Sequence, residues 1–261
     1  RTVRTSTAAP NCPTRDGPIS DVGGAPFTAN GSAPLLGTGL SANSGTVMKS
    51  AGTPSAVNNP FNNNNSVSLA GTGLTLGFLG GGSSSNATWN VGAVGGAINF
   101  GGLHAFSGTQ TFLGTGALNI APSGTWKPGT PMTIPAGINV TNNGAIYFSL
   151  VPAVQTVSVL GAYTQSVTGV LKEKIGPPPG SNDILNVTGN STLAGNFTAV
   201  LGAGYTPSNG DTFNVFSTGT RTSSKLTSPW PTGSSYEFIV ESSRSTLTPG
   251  VSRGTSTIVC R

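Results

Sequence analysis

Short apolar segments alternate with small polar residues along most of this chain. From residue 67 onward, segments of three to five residues place apolar side chains at every second position, as in 67–69, 97–100 and 132–134. Such alternation is typical of β-strands with one buried face. Gly, Asn, Asp or Pro residues separate the segments, and no apolar stripe with helical spacing has useful length. The pattern therefore predicts an all-β protein built from many very short strands.

Strands this short cannot bury a face alone. Stacked as parallel rungs, each strand pairs its backbone with the strands above and below, and the inward side chains form a continuous core. We therefore predict a parallel β-helix, or β-solenoid. A β-sandwich is the alternative, because it also contains many short strands. Frequent turns favour the solenoid. Residues 1–66 are predicted to form an irregular arm or N-terminal cap, and residues 67–261 the solenoid body with a C-terminal cap.

Charged residues are scarce, with 12 Lys plus Arg and 7 Asp plus Glu, or 7% of the chain. An ordinary domain contains roughly 25%. No acidic residue lies between Asp21 and Glu173. Because a free soluble domain normally carries interspersed charge, this composition indicates a surface that is packed against neighbours, coated with sugar, or both. The net charge is +5, but the cations do not cluster, so a nucleic-acid interface is not expected.

The two cysteines, Cys12 and Cys260, lie near opposite ends of the sequence, and neither has the spacing of a metal site. In an oxidising compartment they can pair within the chain if the N-terminal segment folds back along the body, or between subunits. The sequence favours the pairing within the chain and leaves both open. No apolar run of 18 residues is present, so no membrane span is expected. The predicted location is secreted or extracellular, on a cell surface or a virion surface.

Seven Asn-x-Ser/Thr sequons are candidates for N-glycosylation. Chance alone would give about five or six in a chain this rich in Ser and Thr, so their positions are more informative than their number. The sequons begin at Asn30, Asn64, Asn86, Asn139, Asn186, Asn190 and Asn196.

The most specific motif begins at Tyr163. It reads Tyr163-x-Gln165, Gly169-x-Leu171, Asp183-x-Leu185-x-Val187-x-Gly189, Leu193-x-Gly195-x-Phe197 and Gly204-Tyr205-x-Pro207-x-x-Gly210-Asp211-x-Phe213. This motif resembles the C-terminal part of bacterial autotransporter passenger domains, over about residues 160–216 and more loosely from residue 67. The resemblance implies a right-handed parallel β-helix. The sequence departs from that family because no translocator barrel is expected after the motif.

The polar residues of this motif have a structural explanation. Asp183 and Asp211 are expected at turns, where a short carboxylate accepts backbone N–H groups. Gly204 and Gly210 are expected to adopt turn conformations that other residues resist. Tyr205 is expected to pack as a cap or core aromatic residue, as is Phe213 of the same motif. These roles favour structure over catalysis.

Some parallel β-helices are pectate lyases or polygalacturonases, so an enzymatic function was weighed against the sequence. Residues 22–172 offer no carboxylate for acid–base chemistry or for calcium. The chain has no Gly-x-Ser-x-Gly motif and no nucleotide-binding fingerprint. Its one histidine, His104, has no evident catalytic partner and is expected at a turn or partly packed. We predict a non-enzymatic protein with no catalytic residues, cofactor or metal.

Two functions remain. The first is a structural subunit that self-associates into a fibre, appendage, sheath or shell. The second is an adhesin or carbohydrate-binding module that uses outward aromatic side chains to contact surface glycans. Trp230 and Tyr236 are the main stacking candidates, with Trp89 and Trp126 as further ones. An ice-binding surface is a more remote third function, because the Thr residues show no fixed array in the sequence.

Overall fold

In a computed structural model, the structure describes residues 5–6, 27–29, 41–148, 154–176, 181–202, 204–206, 208, 211–224, 239–242 and 252–259. Every regular element in these ranges is a β-strand, and neighbouring strands pair in parallel as a β-solenoid of about 7 turns. The predicted solenoid is confirmed and the β-sandwich alternative is wrong. The described residues contain no helix that could cross a membrane.

Most of the strands have two to five residues, and longer ones occur only after residue 169. The first fourteen are β1 Thr5–Ser6, β2 Phe27–Ala29, β3 Ser41–Asn43, β4 Thr46–Lys49, β5 Ser55–Val57, β6 Phe61–Asn63, β7 Ser66–Leu69, β8 Thr75–Phe78, β9 Gly82–Ser85, β10 Thr88–Asn90, β11 Ala97–Phe100, β12 Leu103–Ser107, β13 Thr111–Leu113 and β14 Ala117–Ile120. The others are β15 Thr125–Pro128, β16 Met132–Ile134, β17 Asn139–Asn142, β18 Ala145–Tyr147, β19 Thr156–Val159, β20 Tyr163–Gln165, β21 Val170–Gly176, β22 Ser181–Asn182, β23 Ile184–Leu193, β24 Asn196–Leu201, β25 Thr212–Ser224, β26 Ile239–Ser242 and β27 Ser252–Val259.

The strands form three faces, and each full coil adds one strand to each face. The first face contains β1, β2, β4, β7, β10 and β13, followed by β16 and β19. The second face contains β5, β8, β11, β14, β17 and β20. The third face contains β3, β6, β9, β12, β15, β18, β21 and β24. Because β23 pairs with both β19 and β20, it joins the first two faces.

The C-terminal part changes strand direction. Strand β25 pairs in parallel with β23, but β27 pairs antiparallel with β25, and β26 pairs antiparallel with β27. These antiparallel strands end the series of parallel coils at that edge of the solenoid.

The regular coils begin at Ser41, earlier than the firm alternation that the sequence shows from residue 67. Residues 41–66 have few large apolar side chains, yet Val47, Val57 and Phe61 all point into the core. Asparagine occupies other inward positions. Asn43 Nδ2 donates to Asn63 Oδ1 over 2.8 Å, so these buried amides satisfy each other across adjacent coils. The core therefore continues where the apolar pattern is weak.

Large aromatic side chains fill the middle of the solenoid. Trp89 and Trp126 are completely buried, and each packs edge-on against the ring of Phe100, which lies between them. Edge-to-face packing of this kind is favourable beyond the area it buries. The expectation that Trp89 and Trp126 could stack on a sugar is therefore wrong, because both point inward.

Candidate functional site

The second face presents a flat, uncharged surface. Its outward side chains stand in register across neighbouring strands, because a parallel solenoid repeats the same position in each coil. One row consists of Ala56, Gly77, Asn99, Asn119, Thr141, Thr164 and Thr192. A parallel row consists of Thr75, Ala97, Ala117 and Asn139. Every member is small or of medium size and none ionises.

Side-chain contacts keep this face flat. Asn119 Nδ2 donates to Asn99 Oδ1 over 2.8 Å, so the two amides lie along the row. Gly77 has no side chain at the equivalent position one strand below. The second face is therefore a smooth polar strip with hydrogen-bonding groups and no protruding charge.

The third face carries a different row. Lys127, Tyr147 and Lys172 occupy consecutive outward positions on β15, β18 and β21, and all three are half-buried. The ammonium of Lys172 lies 5.6 Å from the centre of the Tyr147 ring, a favourable cation–π distance. This row concentrates charge on a body that otherwise exposes little of it.

His104 lies in the core and not at a turn, so the sequence expectation for it is wrong. Its side chain is completely buried between Trp89, Phe100 and Phe106. Burial lowers the pKa of His104 to about 3. Its Nε2 lies 2.7 Å from Ser84 Oγ, a partner that sequence reasoning missed because 20 residues separate the two. Since both side chains are buried, this serine–histidine pair offers no access to a substrate.

A second buried polar group lies where β21 meets β23. Asp183 Oδ1 accepts the backbone N–H of Gln155 over 2.8 Å, and Asp183 Oδ2 accepts that of Lys174 over 2.8 Å. The carboxylate thereby links three segments of the chain. Burial nevertheless raises the pKa of Asp183, while these two hydrogen bonds and the charge of Lys174 oppose the increase.

Glu173 lies beside this group and is completely buried. Neither of its carboxyl oxygens has a hydrogen-bond partner of good geometry among the described residues. Burial raises the pKa of Glu173 well above its usual value, and the Asp183 carboxylate adds to the increase, although the nearby backbone N–H of Leu185 offsets part of it. The pair resembles an acid dyad in composition, but both side chains are enclosed. The described residues contain no group of three or more His, Cys, Asp or Glu that could hold a metal ion.

Four sequon asparagines are exposed. Asn64 and Asn86 lie at turns, and Asn86 has a φ of 51°, a left-handed conformation that asparagine tolerates. Asn139 and Asn190 lie on strands. The remaining described sequons, Asn186 and Asn196, are half-buried.

The turn residues of the C-terminal motif are partly described. Gly204 has a φ of 73°, where a residue with a Cβ would be strained. Asp211 accepts the Tyr205 hydroxyl and the backbone N–H of Ser208, both over 2.7 Å, and these bonds lower the pKa of Asp211. Phe213 is completely buried, and the ring of Tyr205 packs edge-on against it. Cys12, Cys260, Asn30, Gly210, Trp230 and Tyr236 lie outside the described residues.

Comparison of the chain with protein-family models, with curated proteins and with solved structures finds no match. The second and third faces, with their different rows of outward side chains, are therefore the features on which a function is argued.

Proposed function

We propose that this protein is a non-enzymatic structural subunit whose second face packs against the same face of another copy. The observation that carries the proposal is the flat, in-register strip described above. Its seven strands span six intervals of about 4.8 Å, or roughly 29 Å along the solenoid. A strip of small side chains allows close approach of two such surfaces, and its amides and hydroxyls can hydrogen-bond across the contact.

The absence of charge on this strip supports contact between identical surfaces. Two copies related by a two-fold axis bring the same residues together, so a charge on the strip would face its own copy. None of the outward residues on the two rows can produce that repulsion. The scarcity of charge in the whole chain agrees with a surface that spends its life covered.

The arrangement of strands favours contact along the side over stacking end to end. Stacking would require a strand of a second copy to continue the parallel ladder. At the C-terminal edge, the antiparallel strands β26 and β27 occupy that position. A lateral contact leaves these strands as they are.

A strip this narrow supports only a modest contact area, below the roughly 800 Å² per partner of a standard stable interface. Each contact is therefore expected to be weak. Many weak contacts in an array reinforce one another, so assembly should depend steeply on concentration. The fibre, sheath or shell that results is part of this proposal, as is an extracellular or surface location.

Light scattering and electron microscopy at increasing protein concentration test the proposal. The informative variant is Asn119→Lys, which places a charge at the centre of the strip. Its matched control is Thr111→Lys, which adds the same charge at an exposed outward position of β13 on the first face. We expect Asn119→Lys to remain monomeric where the wild type and the control assemble. A wild type that stays monomeric at high concentration and physiological salt would refute the proposal, as would equal behaviour of the two variants.

Glycosylation belongs to the same proposal and has its own support. The exposed sequons Asn64, Asn86 and Asn190 lie off the rows of the second face, so sugars there would leave the strip free. Asn139 lies on one of these rows, and a sugar on it would obstruct the contact. We expect native material to carry sugar on the first three and none on Asn139, which peptide mass spectrometry before and after enzymatic deglycosylation would measure.

A carbohydrate-binding or adhesin function remains the alternative. Trp230 and Tyr236 stay predicted stacking residues for it. The Lys127–Tyr147–Lys172 row favours a specific form of this alternative.

A further inference from the structure

The third face carries the only exposed charges on the described coils between residues 41 and 176. Two of the other ionisable side chains in this range, Lys49 and Glu173, are completely buried, and Lys174 is 7% exposed. Lys127 and Lys172 therefore stand alone as surface cations there, with no exposed carboxylate on these coils to neutralise them. Their field is uncompensated and acts on whatever lies against the third face.

The backbone fixes the spacing of these cations. Lys127 and Lys172 lie on β15 and β21, with β18 between them, so two strand intervals of about 4.8 Å separate their positions by roughly 10 Å along the solenoid axis. This distance is comparable to the length of a disaccharide. Tyr147 occupies the intervening position, and its hydroxyl is a hydrogen-bond donor and acceptor. The row thus alternates a cation, a hydroxyl and a second cation along one line.

The ends of the row are open. Ala105 precedes Lys127 in register, and Thr198 follows Lys172. Beside the row, Ala145 and Val170 occupy the outward positions next to Tyr147 and Lys172. Since these neighbours have small side chains, a linear polymer can lie along the row and extend beyond both ends of it.

We propose that the Lys127–Tyr147–Lys172 row binds a linear acidic polysaccharide that runs parallel to the solenoid axis. Carboxylate or sulfate groups on alternate sugars pair with the two ammonium groups, and a hydroxyl of the intervening sugar pairs with the Tyr147 hydroxyl. A polysaccharide fits better than a nucleic acid, because nucleic-acid sites neutralise many closely spaced phosphates and this row offers two cations. A membrane is also less suited, since stable adsorption needs a larger cluster of basic residues.

The site is independent of self-association, because it uses the third face and not the second. Loss of polysaccharide binding would leave assembly intact, and the variant Asn119→Lys would leave polysaccharide binding intact. Failure of either proposal is therefore distinguishable from failure of the other.

Titration calorimetry with polygalacturonate oligomers tests the inference, with a neutral glucan of equal length as the control ligand. We expect measurable binding of the acidic oligomer only. Lys127→Gln or Lys172→Gln should weaken it about fivefold, and the double variant at least tenfold. Tyr147→Phe, which removes the hydroxyl, should weaken it two- to threefold. In the wild type, the logarithm of affinity should fall with the logarithm of salt concentration at a slope reflecting two ion pairs, and each single variant should lower this slope by about one.

The matched control moves the two charges and keeps their number. The variant Lys127→Gln/Lys172→Gln/Thr111→Lys/Thr133→Lys transfers both lysines to exposed outward positions of the first face. We expect it to bind as poorly as the double variant. Binding restored by this transfer would show that net charge alone is responsible and would overturn the proposal. Equal affinity for single-stranded DNA or for anionic lipid vesicles would overturn it too, as would an unchanged affinity in the double variant.

Discussion

Two parts of the same solenoid core solve burial in opposite ways. The middle coils pack aromatic rings around Trp89, Phe100 and Trp126, and the one polar side chain among these rings is His104. The C-terminal coils bury hydrogen-bonded and ionisable groups, among them Asp183. In a solenoid each coil contacts only its neighbours, so the two strategies act locally on one molecule. The comparison shows that a repeating backbone does not require a repeating core.

The polar core of the C-terminal coils includes an amide network. The Tyr163 hydroxyl donates to Gln165 Oε1 over 2.9 Å, and Asn142 Nδ2 donates to the same oxygen over 3.2 Å. Gln165 Nε2 donates to the backbone carbonyl of Ala194 over 2.9 Å. Each bond joins a different coil, so this network specifies the register of the stack, a function that the aromatic core does not perform.

Removing an aromatic ring should cause the largest loss of stability. Trp126→Ala leaves a large cavity, and we expect it to lower the free energy of unfolding by about 3–5 kcal/mol. Hydrogen exchange should show loss of protection centred on β12, β15 and β18, with less effect on β23. Trp126→Phe is the control, because it keeps an aromatic ring. An equal loss of protection in all coils would contradict local packing.

Removing the buried carboxylate should have the next largest effect. Asp183→Ala leaves the backbone N–H groups of Gln155 and Lys174 without an acceptor, and we expect a loss of about 2–4 kcal/mol. Asp183→Asn keeps one acceptor oxygen and should lose less than half as much. Denaturant unfolding measures the difference. Equal losses in the two variants would show that the hydrogen bonds are not the cause.

The C-terminal coils should become less stable as the pH rises. The folded pKa of Glu173 lies above its ordinary value of 4.5, so the folded chain keeps a proton that the unfolded chain releases. Stability therefore falls with increasing pH from 4.5 up to the folded pKa, by at most about 1.4 kcal/mol per pH unit. Glu173→Gln should remove this dependence, as followed by the exchange of β21 and β23. A slope that persists in the variant would point to Asp183 instead.

The middle coils should respond to pH in the opposite direction. The unfolded chain binds a proton at His104 below pH 6.5, whereas the folded chain resists protonation down to about pH 3. Stability should therefore fall by about 1.4 kcal/mol for each pH unit between these values on acidification. Exchange in β9 and β12 should follow this change, and His104→Gln should reduce it. An identical pH response in both halves would remove the electrostatic part of the comparison.

The sequence predicted the strands of the first two faces better than those of the third. Strands β7, β11, β13 and β16 were recognised by their alternating apolar positions. Strand β9, Gly82–Ser85, was missed because three of its four residues are serines, and β15, Thr125–Pro128, because its second inward residue is a proline. Strand β12 hides its inward histidine between an outward Leu103 and Ala105. Pairing with neighbouring coils makes these segments strands, and that information is not local.

The surface rows were beyond sequence reasoning for a related reason. Lys127, Tyr147 and Lys172 are separated by 20 and 25 residues, so they meet only because the intervening coils have those lengths. Asn99 and Asn119 likewise align through β11 and β14. Turn residues with local partners were within reach, as the hydrogen bonds of Asp211 illustrate.

The lengthening of the strands toward the C-terminal end has a geometric consequence. Paired positions are 20 residues apart between Ala42 and Asn62 but 26 apart between Val170 and Asn196. Because the rise between coils is constant, the added residues enlarge the cross-section, and the solenoid is a tapered prism. Wedges placed side by side in the same orientation incline toward one another. An assembly built through the second face would therefore have an intrinsic curvature, with its radius set by the taper of a single subunit.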